Sequence, residues 1–401
     1  MKNRFISLSL AALLLMGALT GCGSSKDKEP DNSEEVTGSI DPSQEADDSV
    51  SATAAAMNAA YAKYDPDTVV MTMNGEDVTW EEYFYWLQYP ASQFAAGGKV
   101  DWSIEFDDGK SYGDYCKYYA EEMIKQYGVI DAAAYENNIV FTDADKQSLA
   151  DIEDQDISDY GEGDRETFIN YLATLNLSYN MYTALNTTAV TYPLLFASFY
   201  GSEGERLTDE EVIEYAETEG ILSAKHILFM TVDSEGTPLD DEAVASQRAL
   251  AEETLAELKA CTSQEEIIQK FDTLMNERSE DTGLVSNPNG YVFGPGQMVT
   301  EFETATAALG DYEVSEIVES SYGYHIILSL PIEADDVPLS TSYTIRYLAA
   351  SAQFNEMLKG WLEEAVIEYK DDFQNLNMEE LFPTLTAESA VDNVEASTPE
   401  E

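Results

Sequence analysis

Hydrophobic residues recur along this chain at two spacings, and the change between them divides the sequence. From about residue 79 to 219 the spacing is that of amphipathic helices. Between Cys116 and Ile130, apolar residues return to one face about every 3.6 positions. From Ile221 to Ile332 the chain instead begins and ends with strand-like runs, Ile221–Val232 and Gly323–Leu330, with helical patterns between them. The pattern predicts a mostly helical region followed by one compact α/β domain.

Short polar motifs mark where individual elements begin. Asn74-Gly75 lies between apolar alternations, which predicts a β-hairpin. Thr79 precedes a helical pattern and has Glu82 three residues later, the arrangement of a capping box. Similar signals predict helices after Thr142, Thr208, Ser263 and Thr300, over about Arg165–Leu177 and Asp241–Ala260, and at the end of the chain over about Tyr343–Tyr369.

The last predicted helix needs a partner. Its apolar stripe includes Phe354, Leu358, Trp361 and Leu362, and an isolated amphipathic helix is marginal in water. We expect this helix to pack on the first helical region. The α/β domain would then be an insertion into that region.

Residues 1–22 have the features of an export signal. Lys2 and Arg4 precede an apolar stretch, Leu8–Leu19, which is too short to span a bilayer permanently. The segment Leu19-Thr20-Gly21-Cys22 resembles the bacterial lipobox, and this resemblance implies that Cys22 is lipid-modified and becomes the new N-terminus. The alternative is a plain cleaved signal peptide. In both cases the protein is exported.

Acidic and small residues dominate the segments that follow the signal and end the chain. Gly23–Met57 contains no aromatic residue and no periodic apolar pattern, so it offers little surface to bury. We therefore expect a disordered acidic tether over residues 23–64 and a loose acidic tail over 387–401.

The charge balance excludes one class of partner. The formal net charge is −58, from 78 acidic and 20 basic side chains. Such a chain is repelled by nucleic acid and by anionic lipid. The acidity favours solubility and attracts cationic polypeptides, and the sequence leaves open which of these two effects matters.

Chemistry-bearing residues are few. Cys116 lies on a helix face and Cys261 at a helix end, in different predicted domains, so no disulfide between them is expected. Cysteine and histidine residues form no cluster with metal-ligand spacing, and we expect no metal or other cofactor. The two histidines, His226 and His325, each lie within one of the strand-like apolar runs.

The histidines and the segments between them resemble a parvulin-type peptidyl-prolyl isomerase. The relevant motifs are Ala224-Lys225-His226, Ser279-Glu280-Asp281, Gly296-Gln297-Met298-Val299-Thr300-Glu301-Phe302 and Tyr324-His325. The resemblance implies a four-stranded sheet flanked by helices. It implies a noncovalent mechanism with His226, Asp281 and His325 as catalytic residues. It places Met298 and Phe302 in a proline pocket, with Tyr322 and Phe293 as further substrate-binding residues.

Two departures from the family pattern stand out. The family often carries paired glycines before a Phe-Gly-x-Gly turn, whereas this chain has Asn287-Pro288-Asn289-Gly290-Tyr291-Val292-Phe293. The register of Tyr291 and Phe293 against the pocket is open by one residue. The loop after the first strand is acidic, so a preference for phosphorylated Ser/Thr-Pro segments is not expected.

The arrangement resembles the PrsA/SurA-like extracytoplasmic foldases, which combine a parvulin domain with a helical chaperone lobe. The resemblance is specific over about residues 221–332 and weaker over Val69–Tyr89 and the last long helix, and most of residues 100–215 match no motif. The implied fold class is α+β, with the parvulin domain inserted into the lobe. The implied boundaries are 1–22 for the signal and lipobox, 23–64 for the tether, 65–219 for the helical lobe, 220–333 for the parvulin domain, 334–386 for the returning C-terminal helix, and 387–401 for the tail.

The function that this resemblance implies is prolyl isomerisation and folding assistance for newly exported proteins containing Xaa-Pro bonds. The implied location is outside the bacterial cell membrane, with a lipid anchor at Cys22. The first alternative is a holdase chaperone whose parvulin domain is catalytically weak. The second is a solute-binding lipoprotein, which usually needs two lobes of repeated strand–helix units that residues 79–219 do not provide. The oligomeric state is open, a dimer included.

Overall fold

The computed structural model describes residues 42–107, 109–370 and 373–387, with side chains from residue 52 onward. The chain divides into two compact units. One comprises the described residues up to Ser198 together with those from Asn355, and the other is Phe199–Phe354. Because the second unit interrupts the first, the predicted α+β fold with an inserted domain is confirmed.

The first unit begins its sheet with the predicted hairpin. Strand β1 (Val69–Met73) pairs with β2 (Glu76–Thr79) in antiparallel register. Asn74 and Gly75 form the turn with positive φ angles of 52° and 90°, the backbone shape that a two-residue hairpin turn requires.

Two helices form the centre of this unit. Helix α2 (Trp80–Ala95) starts at Thr79, whose side chain accepts a hydrogen bond from the Glu82 amide. Helix α3 (Tyr112–Glu136) packs against it, and both contribute side chains to one apolar core. Trp80, Tyr83 and Phe84 are fully buried there. These aromatic residues therefore serve mainly as helix core.

The remaining elements of the first unit surround this pair. They are α1 (Pro42–Tyr61), β3 (Glu105–Asp107), β4 (Lys110–Ser111), α4 (Asp143–Tyr160), α5 (Arg165–Thr174) and α6 (Tyr179–Tyr200), whose last residues belong to the second unit.

Helix α1 corrects the predicted tether at residues 23–64. Ala56, Met57 and Ala60 are buried in the core of the first unit, so the chain is already folded there. The prediction was wrong for this part because alanine and methionine favour helix and can pack without aromatic residues. Residues 23–41, like the signal and Cys22, lie outside the described residues.

The end of the chain also differs from the prediction. The last long helix, α11, spans Ile345–Glu364 rather than reaching Tyr369, and strand β9 (Ile367–Tyr369) follows it. Strand β9 pairs with β1, and this pairing with a distant strand decides its conformation. A short helix, α12 (Met378–Leu381), then leads to the buried Phe382 and Leu385. Ala387 is the last described residue at this end; the tail from 388 lies beyond it.

The second unit contains the four-stranded sheet that the resemblance implied. Its elements are α7 (Asp209–Thr218), β5 (Leu222–Met230), α8 (Asp241–Lys259), α9 (Gln264–Arg278), β6 (Tyr291–Phe293), α10 (Thr300–Ala307), β7 (Val318–Glu319) and β8 (Gly323–Leu330). The strand order is β6-β5-β8-β7, and neighbouring strands are antiparallel.

The two faces of this sheet are covered differently. Ile227, Phe229 and Ile326 point to the face covered by α8 and α9. Ala224 and Ile327 point to the opposite face, where they pack with Phe293 and with Phe302 of α10. Since strand side chains alternate between faces, the even-numbered positions of β5 share the face of α10. No helix in the described part of the chain is both long and apolar enough to cross a membrane.

Candidate active site

The central strands β5 and β8 bring the two histidines together. His226 lies opposite Ile327, and His325 lies opposite Leu228, so the histidines are diagonal neighbours on one face of the sheet. Their rings are nearly parallel, with an interplanar angle of 17° and centroids 5.3 Å apart. The two Nδ1 atoms are 3.1 Å apart, a hydrogen-bond distance.

A loop beside β5 places Asp281 next to His226. Helix α9 ends at Arg278, after which the Glu280 amide donates to the Leu228 carbonyl and the Leu228 amide donates to Ser279 Oγ. These bonds hold the loop against the strand. Asp281 Oδ2 then lies 2.9 Å from His226 Nε2, and Oδ1 accepts from the Gly283 amide at 2.9 Å.

Two further side chains complete the hydrogen bonding. The Tyr291 hydroxyl donates to Asp281 Oδ2 at 2.6 Å. Ser320 Oγ lies 2.6 Å from His325 Nε2 and accepts a hydrogen bond from the Tyr322 amide. We call the set Tyr291, Asp281, His226, His325 and Ser320 the histidine network.

The direction of each hydrogen bond follows from the carboxylate. An ionised Asp281 only accepts, so His226 Nε2 carries a proton, and in the neutral form of this imidazole Nδ1 is then an acceptor. His325 must then donate from Nδ1, which leaves its Nε2 to accept from the Ser320 hydroxyl. All members are satisfied with both imidazoles neutral.

The protein environment favours these protonation states. Burial, together with the neighbouring His226, lowers the pKa of His325 to about 4, although Asp281 acts in the opposite direction. Burial raises the pKa of Asp281, but hydrogen bonds from His226, Tyr291 and the Gly283 amide outweigh it and lower the pKa to about 2. At neutral pH the network therefore holds a carboxylate and a neutral His325.

The Phe302 side chain of α10 packs against the imidazoles, and Met298, in the loop before α10, packs in the same apolar cluster as Phe302. The Phe302 ring meets His226 and His325 nearly perpendicularly, at centroid distances of 5.2 Å and 5.7 Å. Phe302 is only 2% exposed, whereas Met298 is half-buried. Glu303 accepts from the Met298 amide and fixes the loop that carries this side chain.

The other predicted substrate-binding residues lie in less direct positions. Phe293 is fully buried and packs against Phe302, at a centroid distance of 5.7 Å. The Tyr322 side chain is exposed, and the hydroxyl that reaches His325 belongs to Ser320. Cys22, the predicted lipidation site, lies outside the described residues.

Tyr291 and Ser320 were not among the predicted site residues. Alternation along β6 puts Tyr291 on the same face as Phe293, which was the available signal. Ser320 begins the tight turn between β7 and β8, a common position for serine, and nothing in its motif indicated a contact with His325.

The described residues contain no cluster of metal-ligating side chains. Within residues 42–107, 109–370 and 373–387, no group of three or more His, Cys, Asp or Glu side chains could hold a metal ion. Cys116 and Cys261 are both free thiols.

Residues 226–329 match a protein-family model described as Rotamase, the PPIC-type PPIase domain. The chain carries a parvulin-type peptidyl-prolyl isomerase domain. The predicted resemblance is thus confirmed, and the matched residues include both histidines, Asp281, Met298 and Phe302.

Curated relatives match a minor part of this chain. A foldase protein PrsA of Geobacillus kaustophilus is 46% identical over 78 residues, which are 19% of this chain and 26% of that protein. A chaperone SurA of Nitrosospira multiformis is 35% identical over 106 residues, 25% of this chain and 24% of the relative. The chain thus spans about a quarter of the length of these relatives.

Solved PrsA structures are more distant. One from Bacillus cereus is 19% identical, with a TM-score of 0.26, over 72% of this chain and 99% of that chain. One from Lactococcus lactis is 15% identical, with a TM-score of 0.28, over 80% and 99%.

Proposed function

We propose that this protein is a peptidyl-prolyl cis–trans isomerase that assists the folding of exported proteins outside the cytoplasmic membrane. The observation that carries the proposal is the histidine network, held against Phe302 and Met298 inside a PPIC-type domain. We further propose His226, Asp281 and His325 as the catalytic residues, and Met298 and Phe302 as the proline pocket.

The reaction needs a site that disfavours the planar peptide bond. Resonance in the C–N bond sets a rotation barrier of about 18–20 kcal/mol. In water, hydrogen-bond donors stabilise the charge-separated resonance form and with it the planar amide. In the histidine network both ring N–H groups are already donated, to Asp281 and within the histidine pair. None is left to stabilise the planar amide of a substrate.

Met298 is the adaptable wall of the proposed pocket. Its unbranched side chain is half-buried and packs in the cluster that contains Phe302. Rotation about its flexible bonds would uncover the Phe302 ring for a proline side chain. The aromatic ring and the two imidazoles would then enclose the proline without any charged group in contact.

A covalent intermediate is not part of this mechanism. Both Asp281 oxygens accept hydrogen bonds, from His226 and Tyr291 on one side and from Gly283 on the other. A carboxylate occupied in this way is a poor nucleophile. We assign it the role of fixing the tautomer of His226.

The proposed substrates are unfolded or newly exported proteins containing Xaa-Pro bonds. The relatives reported above are a foldase and a chaperone, which supports this class of substrate. We propose that a lipid on Cys22 holds the protein at the outer surface of the cell membrane.

A protease-free isomerisation assay tests the enzyme and its pocket together. Purified residues 24–401 are incubated with tetrapeptides that differ in the residue before proline. We expect acceleration by the wild-type protein and its loss in the Met298→Ala/Phe302→Ala double variant. Met298→Leu is the matched control, because it keeps the apolar volume and should stay within about threefold of wild type. Circular dichroism verifies that each variant is folded.

A folded wild-type protein that accelerates no peptide would favour a second function, that of a holdase chaperone. Exposed aromatic rings in the first unit favour this candidate, since Phe106 is 46% exposed and Tyr118 is 43% exposed. A holdase would suppress aggregation of an unfolded client equally well with His226→Ala or Asp281→Ala. A loss of suppression in these variants would argue against it.

A further inference from the structure

We propose that Tyr291 is a positioning residue for this reaction and acts through Asp281. Gly283 allows this contact because it leaves room for the Tyr291 hydroxyl. Tyr291 lies in the segment where the sequence departs from the family pattern. This inference rests on the proposed function of the histidine network.

The contact is specific and well aligned. The Tyr291 hydroxyl donates to Asp281 Oδ2 at 2.6 Å, and His226 Nε2 lies 2.9 Å from the same oxygen. Tyr291 opens strand β6 and lies opposite Ala224 of β5. Its ring is 5.7 Å from the His226 ring at an angle of 62°. The sheet therefore fixes Tyr291 beside His226, and the loop held against β5 supplies the Asp281 oxygen that both contact.

Gly283 provides the space that the hydroxyl occupies. A Cβ atom at position 283 would overlap the Tyr291 hydroxyl oxygen, and it would lie 3.2 Å from Asp281 Oδ1 and 3.4 Å from Tyr291 Cζ. Any other residue at 283 would displace the tyrosine or the carboxylate. The backbone at 283 has no positive φ angle, so space is the reason for glycine here.

Tyr291 controls how strongly Asp281 acts on the histidine pair. Two donors on one carboxylate oxygen share its negative charge and fix its orientation. Without the phenol, more of that charge would act on the histidines, and a protonated His325 would be better stabilised. Tyr291 therefore helps to keep His325 neutral and Asp281 in position.

Other charged groups near the pair have partners of their own. Lys225 forms an ion pair with Asp272. Glu280 accepts hydrogen bonds from the Met230 amide and from the Gln247 side chain. Glu303 accepts from the Gly296 and Met298 amides. Among the described residues, Asp281 is the charged group that hydrogen-bonds to the pair. A change at Tyr291 should therefore act through that carboxylate.

The test compares Tyr291→Phe and Gly283→Ala with wild type in residues 24–401. Tyr291→Phe keeps the ring and removes only the hydroxyl. We expect kcat/KM to fall about tenfold, the effect of losing a hydrogen bond to a charged group. The acid limb of the pH–rate profile should move to higher pH, and Gly283→Ala should do the same because its methyl group displaces the hydroxyl.

Tyr324→Phe is the matched control. Tyr324 is a buried tyrosine of the same sheet that packs on the face covered by α8 and α9, so this variant should keep the wild-type rate and acid limb. The nitrogen shifts of the two imidazoles provide a readout that does not need activity. In Tyr291→Phe we expect the His226 signals to move, because the Asp281 oxygen that His226 contacts loses its second donor. Wild-type rates, acid limb and imidazole shifts in Tyr291→Phe would overturn the proposal. If the wild-type protein proved to have no isomerase activity, unchanged imidazole shifts alone would overturn it.

Discussion

At the residue scale, the diagonal placement of the histidines decides what they can do. The offset of two positions places the two Nδ1 atoms at hydrogen-bond distance, while each Nε2 faces a different partner. The network thereby runs across the sheet from the β6 side, where Tyr291 lies, to the β7 side, where Ser320 lies.

The protonation of His325 gives a prediction at this scale. Its pKa of about 4 lies below the ordinary value of 6.5. An unfolded chain therefore takes up this proton first as the pH falls. The contribution of His325 to stability is complete above about pH 6.5 and is lost as the pH falls from there toward about 4.

Titration of the imidazole nitrogens by NMR measures this directly, because the chain has only two histidines. One imidazole should titrate near pH 4, and Ser320→Ala or Asp281→Asn should change its midpoint. If both imidazoles were protonated with midpoints above pH 6, the neutral network described above would be wrong.

The parvulin-like motifs predicted five residues that the structure brings close together. His226, His325, Asp281, Met298 and Phe302 all lie in one contiguous site, as their motifs indicated. Tyr291 and Ser320 escaped prediction because their importance depends on register. A tyrosine at the start of a short strand has no distinguishing pattern until the strand is paired.

At the element scale, the turn from β7 to β8 carries the most constrained glycine of the site. Gly323 has a φ angle of 145°, and a Cβ there would overlap the Phe229 backbone oxygen. The same turn holds Ser320, whose amide donates to the Gly323 carbonyl. Glycine at 323 is therefore needed both to start β8 and to place the serine hydroxyl.

We predict that Gly323→Ala destabilises the second unit by about 1–3 kcal/mol or more, because backbone strain and a steric clash act together. Urea unfolding followed by circular dichroism measures the change. Gly310→Ala is the control, since its Cβ would meet only Glu313 at 3.6 Å, and it should lie within about 0.5 kcal/mol of wild type. Equal stability of the two variants would contradict the argument.

Local signals predicted element starts better than element ends. Thr79, Thr142, Thr208 and Ser263 each precede a helix as expected, because a capping side chain is a local interaction. Strand β9 was missed since its partner β1 lies near the other end of the chain. Helix α6 was missed because it is rich in threonine and contains Pro193, which weaken the helical signal.

At the scale of the whole molecule, the two units carry different spectroscopic residues. The four tryptophans, Trp80, Trp86, Trp102 and Trp361, all belong to the first unit, whereas both histidines belong to the second. Tryptophan fluorescence therefore reports on the helical unit, and peptide isomerisation reports on the parvulin-type domain.

This separation allows the role of the C-terminal segment to be tested. Phe382 is fully buried in the first unit and packs against Trp102 and Phe84, at centroid distances of 5.6 Å and 6.2 Å. We predict that Phe382→Ala lowers the free energy of unfolding seen by tryptophan fluorescence by about 3–5 kcal/mol. Tetrapeptide isomerisation should not change.

Val366→Ala, at a largely exposed position, is the control and should change stability by less than about 0.5 kcal/mol. If Phe382→Ala lowered both the isomerisation rate and the free energy of unfolding seen by tryptophan fluorescence, the two units would unfold together.

The pairing of β1 with β9 has a consequence for the order in which the chain can fold. A chain that emerges N-terminus first exposes β1 long before β9 exists, whereas every strand of the second unit becomes available earlier. During that interval one edge of the β1–β2 hairpin is open to any extended chain nearby. The parvulin-type domain would then be complete while the β1–β9 pairing of the first unit has still to form.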